Sequence, residues 1–589
     1  MEAAARSPIP SAVTTVADGW VDPMAAASSA RGDGPLQYRG DGRHHEPPRA
    51  TRRRSATGVP CVRIVPLCYT SAFMDRSEHS AEPQGYFSSL VQLPARYWVS
   101  NWMEVVERFA YYGVRASLPT YMVLAHELGG PEFTHIQKGQ VYLAWALVQS
   151  IGPIFLGGFA DRYGYKAFVA LSTFLKIGGY VVMGWAIELA ALAVGGSLAR
   201  DGGAAGGEMT YPIFFAGAML LAFGTATFKP AIQGIIARSM PTGKEALGWS
   251  TFYQMVNLGG FLGPIVGGGL RVLDWKYVFL SCAIGIALNF IPLFFIEEPE
   301  RKEGEGFGAD SGVGEVLLAT GREFIRPRVI AFTMVFSGFW LMYNQIFDIL
   351  PNFIDDWVDT RSIATALVSV LGSVVPVLED GNLAQEWVLA INYLEICLLA
   401  SLVGFLIVAK MRPVRAMILG VGICIVGTGM IGLDSVGTWV LFSIALFSFG
   451  EMIASPTKSL FFVSMAPKGK EGMYLGFVTA TQAIGWGIGS LLAGSLYDSG
   501  GDKVVLARRH LVEAHGLDAD VVASLSKTEV VPRLAQVMGT DTWGVSQRLW
   551  DVYQPYTIWF VFAGVGVCSL VGMLVYDRIT TRIDARKAG

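Results

Sequence analysis

The sequence is short of charge. Asp, Glu, Lys and Arg make up only 16% of its 589 residues, and hydrophobic types make up 52%. Soluble domains carry about 25% charged residues, so the shortage argues against a chain whose whole surface faces water. A formal net charge of −3 decides little by itself, and no nucleic-acid partner is expected. Cysteine is also scarce, with six in the whole chain. Cys282, Cys397, Cys424 and Cys568 lie in separate apolar stretches, where a small polarizable side chain packs well, and Cys61 and Cys68 lie in an N-terminal segment. There is no CxxC and no Cys/His cluster at ligand spacing, which excludes a disulfide framework and a zinc or iron–sulfur centre. No h-region with a small-residue cleavage site marks a secretory signal. HExxH, a nucleophile elbow and a phosphate loop are missing too, so neither an enzyme, nor a catalytic residue, nor a cofactor is expected.

What the chain has in abundance is apolar runs of bilayer-spanning length, about 20 residues each. Hydropathy predicts about twelve spans. Six run near 97–124, 139–160, 167–192, 211–237, 248–270 and 276–296, and six more near 327–354, 387–410, 413–433, 437–463, 473–497 and 555–577. The charged connection Glu297 to Arg326 separates the halves, the layout of a two-bundle transporter. The predicted order is a disordered cytoplasmic segment (1–92), an N-terminal six-helix bundle (93–298) and a cytoplasmic linker (299–326). Five helices of the second bundle (327–498), an extracytoplasmic insertion (499–554), and the last span with a cytoplasmic tail (555–589) follow. Met74 offers an alternative start, which would leave the residues before it an over-extended reading of the gene.

Positive charge sets the orientation. Arg162, Lys166, Arg238, Lys244, Arg322, Arg326, Lys410, Arg412, Arg415, Lys468, Lys470 and the basic tail fall on one side. The other side is sparser, which places both termini in the cytoplasm of a multi-pass protein of the plasma (inner) membrane. Ile363 to Leu378 is slightly short for a span and is interrupted by Gly372 and Pro376, so it reads as an interfacial hairpin. The polar insertion 499–554 has helical periodicity and reads as a small outer cap.

Charges inside spans are expensive, about 2.5–3.5 kcal/mol each on insertion scales, and they mark cavities. The first span carries four. At 100° per residue Glu104, Arg108, Tyr111 and Arg115 share a narrow arc, with Glu107 and Tyr112 on its shoulders. A permanent structural ion-pair cluster and a wet functional face are both consistent with that arc.

The stretch Glu104-Val-Val-Glu107-Arg108-Phe109-Ala-Tyr111-Tyr112-Gly113-Val-Arg115 resembles the ExxERFxYYGxR signature of proton-dependent oligopeptide transporters, the peptide branch of the major facilitator superfamily. Further stretches resemble family motifs in order. Asp161-Arg162 with Lys166 is similar to the facilitator loop after the second span, and Phe228-Lys229-Pro230 to a lysine–proline element. Phe252-Tyr253 through Asn257 and Gly259 is similar to FYxxINxG, and Phe339-Trp340 through Gln345 to the seventh-span signature. Glu451 through Ser455-Pro456 is similar to that of the tenth span. The resemblance covers roughly residues 95 to 497 and the last span, and implies an all-α facilitator fold of two six-helix bundles.

It further implies proton-coupled import of di- or tripeptides or peptide-like solutes, with protons and the lipid bilayer as the other partners and no cofactor. A peptide is a zwitterion, so its cavity must offer fixed charge of both signs. Arg115 and Lys229 are the expected carboxylate side, Glu451 the amine side, Asn257, Asn392 and Asn344 polar contacts, and Tyr111 and Tyr112 amphipathic walls. Lys229 and Glu451 are also a candidate cytoplasmic gate in an empty cavity. Glu104, Glu107 and Arg108 are the candidate proton latch, because moving the guanidinium changes the proton affinity of the acids. One departure stands out. The family pattern FWxxxEQ carries an acid where this sequence has Asn344, which cannot titrate. Asp348, one turn further out on the same face, is the preferred replacement, and Glu395, three residues after Asn392, is the second. A same-fold transporter with drifted substrate (amino acid, nitrate-like anion or drug) is the alternative, and a non-transporting receptor using residues 499–554 is the rival from another class.

Overall fold

The computed structural model describes residues 90–195, 207–241, 244–298, 313–467 and 471–588. Most of the segment 1–92, much of the linker, Lys468 and Lys470 lie outside the described residues, as do the side chains of Asp161 and Arg162. Twelve long helices form the body. The first half holds α1 (Ala95–Val123), α2 (His135–Tyr163), α3 (Tyr165–Gly184), α4 (Gly207–Ser239), α5 (Glu245–Arg271) and α6 (Trp275–Ala287), with α6 extended by Phe290–Phe295. The second half holds α7 (Pro327–Tyr343), α8 (Gln385–Leu406), α9 (Pro413–Ile431), α10 (Gly437–Met465), α11 (Glu471–Gly500) and α12 (Thr557–Ala588). Nine of the described helices are long and apolar enough to cross a membrane. The other three are α1, α5 and α11, of comparable length and packed among the nine. In α1 the shortfall has a named cause, since Glu104, Glu107, Arg108 and Arg115 sit in one helix. Phe174, Ile291, Phe294, Leu398, Phe405 and Phe442 are exposed, as lipid-facing side chains should be.

Within the first half α1 lies along α5 and α6, and α3 along α4 and α6; within the second, α9 lies along α10 and α12, and α7 along α11 and α12. The halves meet where α2 packs on α11 and α5 on α8. Between apolar helices there is little hydrophobic drive, so contact depends on close backbone approach through small residues. A methyl group at Gly259 would collide with the Val105 carbonyl, and one at Gly263 with that of Phe109. These glycines press α5 against α1 and fix the rotation of its charged face. Gly420 and Gly450 do the same for α9 and α10.

The end at which the described chain begins and finishes is called inner here, following the charge-based expectation. At the outer end, α7 continues irregularly as Gln345–Asp348 and Leu350–Trp357. Arg361–Leu371 follows as a short helix whose Val368, Val370 and Leu371 are exposed. Residues 499–554 fold into four short helices, Lys503–Glu513, Ala519–Ser524, Lys527–Met538 and Thr542–Tyr553. The side chains of Asp502, Asp518 and Asp541 accept from backbone N–H groups at three of their starts, and Ser526 with Glu529 forms a capping box at the fourth. Leu506, Leu511, Val530, Leu534, Val545 and Leu549 are buried, in one hydrophobic cluster with Phe353, Trp357 and Trp559 of the second half.

Candidate functional site

The α1 charges are buried, and each has an ion-pair partner. Glu104 and Arg108, one helical turn apart, meet at 2.7 Å from Oε1 to Nε. The same Nε lies 3.2 Å from Glu107 Oε2. The other oxygen of Glu107 takes the Lys176 ammonium of α3 at 2.5 Å. Glu107, Glu104 and Lys176 are 0%, 1% and 1% exposed, so each charge is balanced within the protein rather than by water. Two acids and two bases make the cluster neutral when all are ionised, the arrangement that burial of charge demands. Lys176 is also held over the Phe228 ring, at 4.3 Å.

One and two turns outward, Tyr111 is edge-on to Tyr112 at 5.0 Å, and Tyr112 leans on Tyr393 of α8 at 4.8 Å. Arg115 then crosses between the bundles. Its guanidinium pairs with Asp348, and a second nitrogen donates to the Phe347 carbonyl at 3.0 Å. The ring faces of Tyr142 and Trp486 lie 4.4 and 5.0 Å from it. The sequence explains the free carbonyl: residue 351 is Pro, has no N–H to donate back to Phe347, and breaks the helix there. Arg115 fills the gap. Asp348 is held further by Trp486 Nε1 and Ser490 Oγ, donating at 3.0 and 3.1 Å. Asp348, rather than Asn344, is therefore the residue that meets Arg115. Asn344 donates to the Trp340 carbonyl of its own helix at 2.8 Å.

Around this pair the outer ends are shut. Lys138 donates to Asn352 at 2.6 Å, Asn352 to the Pro119 carbonyl at 3.0 Å, and Gln385 to that of Ala116 at 2.9 Å. Arg271 of α5 bridges Asp355 at 2.6 Å and Glu386 at 3.1 Å. His135 meets Asp502 at 3.0 Å, and Lys527 of the cap donates to the Val123 carbonyl at 3.1 Å. Added methyl groups at Gly139 and Gly494 would strike the carbonyls of Ser490 and His135, so α2 and α11 touch backbone to backbone. On the inner side, the hydrogen bonds between the halves reduce, among the described residues, to Gln254 donating to Ser401 at 3.3 Å. The closed end is the outer one.

Between the α1 cluster and the second bundle lie the expected substrate residues. Glu451 of α10 accepts from Tyr343 OH at 2.7 Å and from Asn392 of α8 at 3.1 Å. Asn392 also donates to Ser448 at 2.7 Å. Asn257 donates to the Tyr253 carbonyl of its own helix at 2.8 Å. Glu395 is half-buried, with one oxygen lacking a hydrogen-bond partner. Lys229 is half-buried and makes no ion pair or hydrogen bond among the described residues. The expected Lys229–Glu451 gate pair is thus not formed here, because Glu451 is held inside its own bundle while the inner halves stand apart. In the loop motif, Lys166 lies at the start of α3, where the backbone N–H groups of Tyr165 and Lys166 donate to the Glu298 carboxylate at 2.6 and 3.1 Å.

Comparison with known proteins agrees with this architecture. The family model described as Major Facilitator Superfamily matches residues 105–378. That match spans just under half of the chain, 274 of its 589 residues, and makes it similar to the superfamily over that stretch. An uncharacterized MFS-type transporter, YttB of Bacillus subtilis, is 26% identical over 336 residues, 56% of this chain and 76% of that protein. Multidrug resistance protein MdtH of Klebsiella pneumoniae is 21% identical over 363 residues, 60% of this chain and 76% of that one. Among solved structures, a POT family transporter in complex with 5-aminolevulinic acid has a TM-score of 0.53 at 18% identity, covering 79% of this chain and 97% of that one. A POT family transporter with a thioalcohol-conjugated peptide gives 0.54 at 18%, covering 83% and 96%. At such identity the likeness is one of fold. These facilitator relatives are transporters, not enzymes.

Two cations of the interior do not figure among the motif residues. Lys176 lies in the third span and Lys458 in the tenth, each conspicuous as a charge inside an apolar run. Lys176 supplies the second base of the α1 cluster. Lys458 lies half-buried with its amine 4.1 Å from the Trp340 ring centre, donating to Ser455 Oγ at 2.9 Å.

Proposed function

We propose that this membrane transporter imports di- or tripeptides, or peptide-like solutes, together with protons, across the plasma membrane. The observation that carries the reading is the split of charge between the two bundles. A carboxylate, Glu451, is presented by the second bundle on a Tyr343–Asn392 cradle, and an ammonium without a counter-ion, Lys229, by the first. A zwitterion spanning the two would satisfy both and draw the inner halves together. The peptide-bearing solved structure of the same fold supports the choice of solute class.

In this scheme the outer bridge is the lock and the α1 cluster the latch. Protonating Asp348 removes the charge that holds Arg115, leaving only a carbonyl and two ring faces, so a proton from outside favours outer opening. Glu107 takes a proton only as its bridge to Lys176 is broken, so proton binding there is tied to the position of α1 against α3. Glu104, sharing Arg108, follows the same movement. Glu395, which also has an oxygen without a hydrogen-bond partner, is assigned a secondary part. No cofactor enters, since the gradient supplies the energy.

Dipeptide counterflow in proteoliposomes tests the solute class without any gradient. Labelled dipeptide should exchange into vesicles preloaded with unlabelled dipeptide, and Glu451→Gln should abolish the exchange. Exchange of amino acids or cationic drugs in place of peptides would instead favour the drifted-substrate reading. That reading draws on Asn344 standing where the family pattern has an acid, and on the MdtH relative.

A further inference from the structure

The interior holds one more cation than a simple zwitterion needs. Lys458 follows Glu451 by seven residues on α10, two turns at 3.6 residues each, so the two share a face about 10 Å apart along the axis. Its amine rests on the Trp340 ring and on Ser455 Oγ, two contacts that orient it without cancelling its charge. No carboxylate lies within ion-pair distance of it among the described residues. Lys229, on α4, likewise has no carboxylate within ion-pair distance among the described residues, and the charges of Glu451 and, after it, Lys229 act on Lys458. The neighbouring interior cations are different: Arg108, Lys176 and Arg115 each have a carboxylate. Two like charges kept half-buried without a directly paired carboxylate are costly, and a ligand with two anionic groups would repay that cost.

We propose that Lys458 and Lys229 form a two-cation seat that selects peptides bearing a second negative charge, that is, dipeptides containing Asp or Glu. The proposal rests on the peptide reading and deepens it. The α-amine goes to Glu451, one carboxylate to Lys229, and the other to Lys458, with Trp340 as the floor beneath it. Lys458 is a specificity residue. It is not needed for a neutral dipeptide, which already satisfies Glu451 and Lys229.

Competition in the counterflow assay tests this. Ala-Glu and its neutral near-isostere Ala-Gln compete against a labelled neutral dipeptide, in the wild type, Lys458→Met and Lys458→Arg. Wild type should prefer Ala-Glu at least tenfold. Lys458→Met should equalise the two while handling Ala-Gln within twofold of wild type, and Lys458→Arg should retain the preference. Equal competition by the two peptides in wild type, or an unchanged preference in Lys458→Met, overturns the seat. Should no peptide compete at all, the peptide reading falls. Thermal shifts by glutarate against butyrate then decide the seat by itself. A shift with glutarate alone that is lost in Lys458→Met upholds it, and equal shifts overturn it. Because the wild-type comparisons need no variant, poor folding of Lys458→Met does not shield the idea.

Discussion

Replacing Asp348 by Asn should tip the transporter toward the outer-open state. Asn keeps the shape and an oxygen that can still accept from Trp486 and Ser490, which now donate at 3.0 and 3.1 Å. It removes the charge facing Arg115. Both partners are almost wholly buried, at 1% and 3% exposure. Breaking a buried pair by removing one partner costs about 3–5 kcal/mol. The Phe347 carbonyl and the rings of Tyr142 and Trp486 continue to hold Arg115, so the lower end of that range applies. Because the bridge exists only while the outer ends are together, nearly all the loss falls on the closed state. A shift of about 3 kcal/mol is on the order of a hundredfold in population. Spin labels at Leu128 in the first half and Val374 in the second, both exposed outer positions, would report it in a background with the native cysteines replaced. Wild type should give mainly the short distance, and Asp348→Asn mainly a longer one. An unchanged distance distribution, with only a lower melting temperature, would refute the lock and leave the pair purely structural.

Other consequences are smaller in scope. Lys176→Met leaves Glu107 with Arg108 alone. It should lower stability by about 3 kcal/mol at pH 8, and less at pH 5, where a proton can replace the lost ammonium; an equal loss at both pH values would contradict the role given to Lys176. Gly494→Val should wedge α11 off His135, slow uptake at least tenfold and lengthen the same outer distance, whereas normal uptake would mean the helices need not touch there. Asp356, outside the spans, has its carboxyl pushed up to about 7, chiefly by burial, against the opposing pull of Lys503, while Tyr497 donates to it at 2.8 Å. An acid with a raised folded-state value favours the fold below its unfolded value near 4, and that benefit is lost as pH rises through 7. Asp356→Asn should therefore flatten the decline in melting temperature between pH 4 and pH 8, by on the order of a few degrees; a decline as steep as in wild type would count against it.

Much of this molecule is legible in its sequence because membrane spanning leaves few choices. Long apolar runs must be helices, since every backbone group has to be satisfied within its own segment. The same logic makes any charge in such a run conspicuous, which is how Glu104, Glu107, Arg108 and Arg115 stand out. What periodicity does not convey is which neighbour each charge meets. Glu107 turns to Lys176, a residue 69 positions away, and nothing local announces the pairing. Asp348 reaches Arg115 because the chain breaks at Pro351, so its direction depends on an irregularity that an ideal helical wheel omits. Asn257 and Asn344 bond to carbonyls four residues back on their own helices. That is a matter of rotamer, and it makes them quieter than the expectation of substrate contacts. Lys229 and Glu451 depend on state. In the proposed scheme, whether they meet follows from which end is closed, and a sequence encodes both ends.

The central claim is that a proton gradient drives concentrative peptide uptake through the α1 acids. It is met most directly by dipeptide accumulation in proteoliposomes at equal pH and under an inwardly directed proton gradient, for wild type and Glu107→Gln. Wild type should concentrate the peptide only under the gradient. Glu107→Gln should exchange it by counterflow yet fail to concentrate it. Accumulation indifferent to the gradient, or undiminished in Glu107→Gln, would contradict the account.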